Sequence, residues 1–205
     1  MLSLFLSQLF SSIFQVLLFS LIPFIWWLVT ARKKSSFFEW IGIKKIRKER
    51  LKAVAGAVFG ISVAFMVLSV FMLNSVKGVE MATSAFTGLG VAAIPAVIVY
   101  AAIQTALSEE IIFRGFILKR ISNRFGSIAG NLIQSLLFGL MHGILLFGAT
   151  GIVKALIVTV FTAAIGWSMG FINEKTAEGS IIPGWCIHTI ANVFSGLCAA
   201  FMVFQ

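Results

Sequence analysis

The chain has 205 residues, of which 60% are hydrophobic and only 11% are charged, whereas a soluble globular protein is typically about 45–50% apolar and about 25% charged. This composition, with a mean hydropathy of +1.04, excludes a free soluble domain and indicates a polytopic bundle of transmembrane helices. The net charge of +9 would suggest a nucleic-acid-binding protein if the chain were soluble, so the distribution of the charges decides what it means.

Six apolar segments follow one another along the chain. At about 20 residues per span, they predict an all-α transmembrane bundle of about six to eight helices. The first segment runs from about Leu4 to Val29 and the second from Ala53 to Leu73. The third extends from about Ala85 to Leu107, and a charged segment over residues 108–125, predicted to be a loop, follows it. The last three apolar segments cover residues 126–147, 152–172 and 180–204.

The loop between the first two spans carries most of the positive charge. Nine of the 16 basic residues lie between Arg32 and Lys52, with only Glu39 and Glu49 against them, so this loop supplies +7 of the net +9. A basic cluster flanked by apolar spans is typical of a cytoplasmic loop, and its aromatic residues suit an interface with anionic headgroups. We therefore expect membrane lipid as its partner, and no nucleic acid.

The charges also predict an orientation for the bundle. If the Arg32–Lys52 loop is cytoplasmic, the segments 108–125 and 173–179 fall on the same side of the membrane. The segments 74–84 and 148–154 fall on the opposite side, and each carries one Lys. All three segments on the cytoplasmic side contain basic residues, as the positive-inside rule requires.

A few polar residues within the apolar part of the chain are not explained by loops. Charged side chains at membrane depth are expensive and point to function by default. An ion pair between Glu110 and Arg114, which lie four residues apart on one helix face, leaves the carboxylate of Glu109 unexplained. The only two histidines of the chain also lie in apolar spans, and an Asn lies four residues after the second one. The set is Glu109, Glu110, Arg114, His142, His188 and Asn192.

Two hydrolytic chemistries fit these residues. In the first, Glu109 and His142 act as general base on a water, while His188 and Asn192 donate hydrogen bonds to a developing oxyanion. In the second, a Glu and the two histidines bind Zn²⁺, which activates the water. The second lacks the usual H-E-x-x-H and E-x-x-H spacings, and the chain has no G-x-S-x-G motif for a serine nucleophile.

Three motifs in the second half of the chain resemble one known family. They are Glu109-Glu110-Ile-Ile-Phe-Arg114 (E-E-x-x-x-R), Phe138-Gly-Leu-Met-His142 (F-x-x-x-H) and His188-Thr-Ile-Ala-Asn192 (H-x-x-x-N). In this order, within apolar helices, they resemble the CPBP family of CAAX prenyl proteases and bacteriocin-processing or immunity proteins, also called the ABI family. The resemblance covers about Ala93 to Phe204.

The resemblance implies an intramembrane glutamic endopeptidase that works without a metal or other cofactor. Glu109 and His142 would activate the water, and His188 with Asn192 would form the oxyanion hole. The supporting residues would be Glu110, Arg114 and Phe138. It also implies a hydrophobic or lipidated peptide substrate, and a site that opens towards the cytoplasm of a prokaryotic cell. The chain would form one domain, with two spans and the basic loop in residues 1–84 and the catalytic core in residues 85–205.

Two functions without proteolysis remain open at this point. The first is a membrane protein that binds a partner, such as an immunity factor that sequesters a bacteriocin or its receptor. The second is a transporter whose intramembrane Glu and His residues relay protons. A transporter would be expected to show inverted repeats or broken helices, and the sequence shows neither.

Overall fold

The computed structural model describes residues 2–204 and contains within them seven α-type helices and one short 3₁₀-helix, Ala82–Phe86, with no strands. Helix α1 is Leu2–Thr30, α2 is Phe37–Ile41, α3 is Lys48–Ser75 and α4 is Gly90–Phe125. The helical stretch Ser127–Phe171 bends at Gly151 into α5 (residues 127–150) and α6 (residues 152–171), and α7 is Ile182–Ala200. The predicted all-α bundle of six to eight helices is confirmed.

Four helical stretches are long and apolar enough to cross a membrane: Leu2–Thr30, Lys48–Ser75, Gly90–Phe125 and Ser127–Thr176. The fourth is the α5–α6 pair, which continues through a wide turn at Ile172–Thr176. The large apolar side chains of these helices are widely exposed, as in Phe14 (68%), Phe59 (73%) and Leu145 (73%). Such surfaces are stable only in contact with lipid, so the protein is an integral membrane protein.

Helices α5 and α6 form a hairpin that packs through small residues. The chain reverses at Gly151, whose φ of 74° is readily adopted only by glycine. A Cβ at Gly139 would lie 2.4 Å from the Thr159 carbonyl oxygen, and one at Gly143 would lie 2.9 Å from the Ala155 carbonyl oxygen. These close approaches are typical of transmembrane helix pairs, which associate through backbone proximity and hydrogen bonds.

The prediction of a loop over residues 108–125 is wrong. Helix α4 continues through this segment and ends only at Phe125, where Gly126 adopts a φ of 87°. Its charged residues indicate a loop, but Glu110 and Arg114 are completely buried and pair with each other inside the bundle. The segment contains neither Pro nor a conformationally strained Gly that would end a helix before Gly126.

The basic segments that join the helices gather at one end of the bundle. Lys119 lies 3.0 Å from Glu174 and donates a hydrogen bond to the Gly179 carbonyl at 2.7 Å. Arg47 pairs with Glu178, and the Ile181 N–H donates to the carbonyl of Gly42 at 2.9 Å. Arg120 stacks on Trp40 at the same end. We call this the basic end; it consists of residues 32–50, 119–124 and 174–181.

The opposite end is formed by the segment 76–89, which joins α3 to α4, and by the last turn of α7. The Gly88 N–H donates a hydrogen bond to the Ala199 carbonyl at 3.3 Å. We call this the distal end. Because α3 rises by about 1.5 Å per residue over Leu51–Ser75, the two ends lie about 37 Å apart, which is enough to cross the hydrocarbon core.

Candidate active site

The two adjacent glutamates lie in the middle of α4, where the helix is locally wider. Turns with i→i+5 hydrogen bonding over Tyr100–Leu107 and Ile111–Leu118 flank the short α-helical piece Ser108–Glu110. Wide turns of this kind are rare and are frequent at functional sites. Both carboxylates point into the bundle: Glu109 is 8% exposed and Glu110 is fully buried.

Glu110 is held in a buried ion pair. Arg114 Nη1 lies 2.9 Å from Glu110 Oε1, and neither side chain is exposed. The Arg114 guanidinium also stacks on the ring of Phe138, with Cζ 4.3 Å from the ring centroid. Asn173 Nδ2 lies 3.4 Å from Glu110 Oε2, and Asn173 Oδ1 accepts a hydrogen bond from the Gly184 N–H at 2.8 Å. Glu110 is therefore anchored to α4, α5 and the turn before α7.

His188 lies between the two glutamates. Its Nδ1 is 3.5 Å from Glu110 Oε1, and its Nε2 is 3.7 Å from Glu109 Oε2. The ring packs edge-on against Phe138, with centroids 5.6 Å apart. The register of α7 on α4 is fixed one turn away, where the indole N–H of Trp185 donates to the Ala102 carbonyl at 2.7 Å.

His142 projects from α5 beside the same phenylalanine. The His142 and Phe138 rings are 4.6 Å apart between centroids, and His142 Nδ1 lies 2.9 Å from the Phe138 carbonyl oxygen. A carbonyl oxygen only accepts hydrogen bonds, so Nδ1 carries a proton. In the neutral ring, Nε2 is then the nitrogen that accepts a proton, as a general base must.

Asn192 is oriented by a residue of α4. Its Nδ2 donates a hydrogen bond to Thr105 Oγ1 at 2.7 Å, and Thr105 lies one turn before Glu109. The Thr105 hydroxyl itself donates to backbone carbonyls, 3.1 Å from that of Tyr100 and 3.2 Å from that of Ala101. One hydrogen of the Asn192 amide is therefore fixed on Thr105, and the other remains for a ligand.

These side chains share the wall of one cavity of about 500 Å³. Glu109 Oε2 is buried and has no hydrogen-bond partner among residues 2–204. Besides the predicted residues, the wall contains polar groups from α1, α4 and the segment 76–89. The predicted residues on the wall are Glu109, His142, His188 and Asn192, and the others include Gln15, Glu80, Thr83, Tyr100, Gln104 and Thr105.

The cavity is closed towards the basic end and extends towards the distal end. On the closed side, the layer next to the predicted site residues is completely packed, with Phe138 at 2% and Ile187 at 1% exposure beside Glu110 and Arg114. On the open side, the wall continues through Glu80–Thr83 and Ser195. The sequence predicted both that the basic loops face the cytoplasm and that the site opens towards it, and these two expectations point to opposite ends of this bundle.

The structure thus brings all seven predicted residues into one contiguous cluster, with Glu110, Arg114 and Phe138 beneath the cavity. Sequence reasoning missed Thr105, although its i−4 spacing from Glu109 places both on one helix face. It assigned Asn173 to a loop because Glu174 and Lys175 follow it. No sequence signal identified the cavity wall formed by Gln15 and residues 80–83.

A comparison with protein families gives one match. The family described as type II CAAX prenyl endopeptidase Rce1-like matches residues 91–194, which is half of the chain and includes every residue of the three motifs. No curated protein and no solved structure matches the chain.

Proposed function

Because this chain belongs to the type II CAAX prenyl endopeptidase family, as its motifs predicted, and is therefore an endopeptidase, we propose that it cleaves its substrate with a water activated by Glu109 and His142. The observation that carries the proposal is the Glu109 carboxylate. It lies on the cavity wall with one oxygen unpartnered among the described residues, 3.7 Å from His188, and it shares the cavity with His142 and Asn192.

In the proposed reaction, the water attacks the carbonyl carbon of the scissile peptide bond while Glu109, assisted by His142 Nε2, takes its proton. The carbonyl oxygen becomes an oxyanion, which accepts hydrogen bonds from His188 and from the free amide hydrogen of Asn192. The proton then passes to the leaving nitrogen as the C–N bond breaks, which yields a carboxylate and an amine. Glu110, Arg114 and Phe138 contact no substrate and hold His188 and His142 in place.

The arrangement supports this metal-independent route over a zinc site. A zinc site needs both histidines and a carboxylate around a single point. Within residues 2–204, no group of three or more His, Cys, Asp or Glu residues is placed to hold a metal ion.

We further propose that the substrate is a hydrophobic or lipidated peptide. A groove between α1 and α5 runs from the lipid-facing surface to Glu109 and Gln104. Six of its ten wall residues are apolar, so it suits an acyl or prenyl chain or an apolar side chain while the peptide bond lies at the cavity. The apolar wall residues are Phe10, Phe14, Leu18, Phe19, Met141 and Leu145.

We propose a prokaryotic plasma membrane as the location, with the basic end in the cytoplasm against anionic headgroups. The side chains of Lys33, Lys34 and Lys45 are exposed there, whereas Arg47 and Arg50 are paired with Glu178. This orientation follows the charges of this chain and not the resemblance, which implies a site open to the cytoplasm. The cavity mouth would then lie on the other side of the membrane.

The test is cleavage of a prenylated CAAX peptide, and of the same peptide without the prenyl group, by the purified protein in detergent. Glu109→Gln and His142→Ala should each abolish cleavage while the protein elutes as the folded wild type does. Glu39→Gln, a change at an exposed glutamate of the basic end, should have no effect. If Glu109→Gln retains the cellular phenotype of the wild type, the hydrolytic mechanism is wrong, and a binding role such as bacteriocin immunity replaces it.

A further inference from the structure

The parts of the cavity wall that lie nearest the mouth come from outside the stretch that defines the family. All the residues assigned to hydrolysis lie within residues 91–194, the stretch that matches the family. The wall residues outside it are Glu80–Thr83 of the segment 76–89 and Ser195, which lie at the mouth, and Gln15 of α1, which lies deeper, beside Ser108 and Gln104. The family stretch thus supplies the residues for the reaction, and other parts of this chain supply residues that can select a substrate.

Gln15 connects α1 to the helix that carries the glutamates. Its Nε2 donates to Ser108 Oγ at 3.2 Å, and its Oε1 accepts from Gln104 Nε2 at 3.4 Å. Gln15 lies on the wall of both the cavity and the lipid-facing groove. Helix α1 therefore forms one side of the site next to Glu109.

The charge of the cavity is entirely acidic. Glu80 and Glu109 are the two carboxylates on its wall, and no Lys or Arg is among the wall residues. Glu80 is exposed at the mouth, at the end of the bundle away from the basic loops. Lys77, on the same segment, lines only the neighbouring pocket that it shares with Glu80. Since like charges repel and opposite charges attract over several ångströms in a confined cleft, the cavity side of Glu80 favours cationic side chains over acidic ones.

The distance from the mouth to the reacting groups can be expressed in substrate residues. Ser195, at the level of the mouth, is seven residues beyond His188 on α7, which corresponds to a rise of about 10 Å. An extended peptide advances about 3.3 Å per residue. A substrate side chain beside Glu80 would therefore belong to a residue about three or four positions from the scissile bond.

Building on the peptidase proposed above, we infer that Glu80 is a specificity-determining residue that selects peptides with a Lys or Arg about three or four residues from the scissile bond. Such peptides reach the site from the distal end. With the basic end in the cytoplasm, this end faces away from the cytoplasm, so the substrate is a basic peptide segment on the outer side of the membrane.

The specificity is tested with the purified protein in detergent and a mixture of tryptic and glutamyl-endopeptidase peptides, whose cleavage sites are identified by mass spectrometry. Wild type should cleave preferentially near Lys or Arg. Glu80→Gln should lower kcat/KM for those peptides about fivefold, and Glu80→Lys should shift the preference to peptides with Asp or Glu. The wild-type preference should weaken in 0.5 M NaCl because salt screens an exposed charge. The matched control, Glu39→Gln, should leave both the rate and the preference unchanged.

The outcomes separate the two proposals. Cleavage by wild type and none by Glu109→Gln would support the peptidase. If, in that case, Lys and Arg are not enriched near the cleavage sites, or Glu80→Lys has the same preference as wild type, the role of Glu80 is overturned and the peptidase stands. If wild type cleaves no better than Glu109→Gln, the proposed hydrolysis itself fails, and the role of Glu80 fails with it.

The direction of entry has its own test. Cys186 and Cys198 are both free, so both are first replaced by Ala. Lys77→Cys at the distal end and Lys45→Cys at the basic end then report the two sides; both positions are exposed. In intact bacterial cells, a membrane-impermeant maleimide should label Lys77→Cys, and it should label Lys45→Cys only after permeabilisation. The reverse pattern would place the mouth in the cytoplasm and overturn entry from outside.

Discussion

The buried pair of Glu110 and Arg114 offers the most quantitative test of how the site is held together. The nearest atoms are 2.9 Å apart and both side chains are fully buried. At an effective dielectric constant of about 20, two unit charges at this distance attract by roughly 6 kcal/mol, and the cost of removing both charges from water offsets much of that attraction. Replacement of either partner alone leaves a buried charge without its counter-ion, which typically costs about 3–5 kcal/mol.

We therefore expect Arg114→Met and Glu110→Gln each to destabilise the protein by about 3–5 kcal/mol. The double variant removes both charges, so it should be more stable than the sum of the two effects predicts, by about 2–3 kcal/mol. Arg114→Met also loses the stacking on Phe138. Arg120→Met is the matched control, because Arg120 stacks on Trp40 at 4.0 Å in a partly exposed position, where such a contact is worth about 1 kcal/mol or less.

The measurement is equilibrium unfolding in mixed micelles of dodecyl maltoside and sodium dodecyl sulfate, followed by the loss of helical circular dichroism. Additive effects, within about 0.5 kcal/mol, would refute the reasoning, because they would mean that the two charges do not stabilise each other. An Arg120→Met variant as unstable as Arg114→Met would also refute it, since the loss would then follow from any arginine in α4.

Three further changes test the neighbours of the reacting groups. Thr105→Val should lower kcat on the CAAX peptide about tenfold with little change in KM, because Asn192 loses its hydrogen-bond partner and an oxyanion donor is misplaced. Thr105→Ser should restore the rate, and a Ser variant as slow as the Val variant would contradict this role. Gly184→Ala should destabilise the protein by about 1–3 kcal/mol in the same unfolding assay, because its Cβ would lie 2.6 Å from both Asn173 Nδ2 and Glu110 Oε2. Gly60→Ala, with no atom within 4 Å of its Cβ, should have no such effect, and equal losses would contradict the packing. Treatment with EDTA should leave peptide cleavage unchanged, and a loss of cleavage that Zn²⁺ restores would overturn the metal-independent mechanism.

The apolar spans were predictable because a bilayer requires long runs of apolar residues, and α1, α3 and the α5–α6 hairpin follow those runs closely. The end of α4 was not predictable on the same grounds. Hydropathy counts each charge separately, whereas Glu110 and Arg114 are tolerated inside the bundle because they lie 2.9 Å apart. The burial of a charge depends on its partners, and partners become visible only when the helix is folded against its neighbours.

The same distinction explains which site residues the sequence predicted. Glu109, His142 and His188 are conspicuous because titratable residues are rare in apolar segments. Thr105 and Asn173 have ordinary side chains for a membrane helix and its end, and they matter only because one binds Asn192 and the other binds Glu110. Glu80 lies in an irregular segment between two helices, so only the tertiary structure places it beside the site.

Helix α4 carries both the orientation signal and the reacting carboxylate, and their separation limits how water can reach the site. Lys119 and Glu109 are ten residues apart, about 15 Å along the helix axis. With Lys119 at the headgroup level of the basic end, Glu109 lies near the middle of a hydrocarbon core about 30 Å thick. The packed layer of Phe138 and Ile187 closes the shorter path from the basic end, so in the proposed mechanism the water would reach Glu109 along the cavity wall from Glu80 and Thr83. The proposed nucleophile and substrate would then enter from the same side, past the segment 76–89.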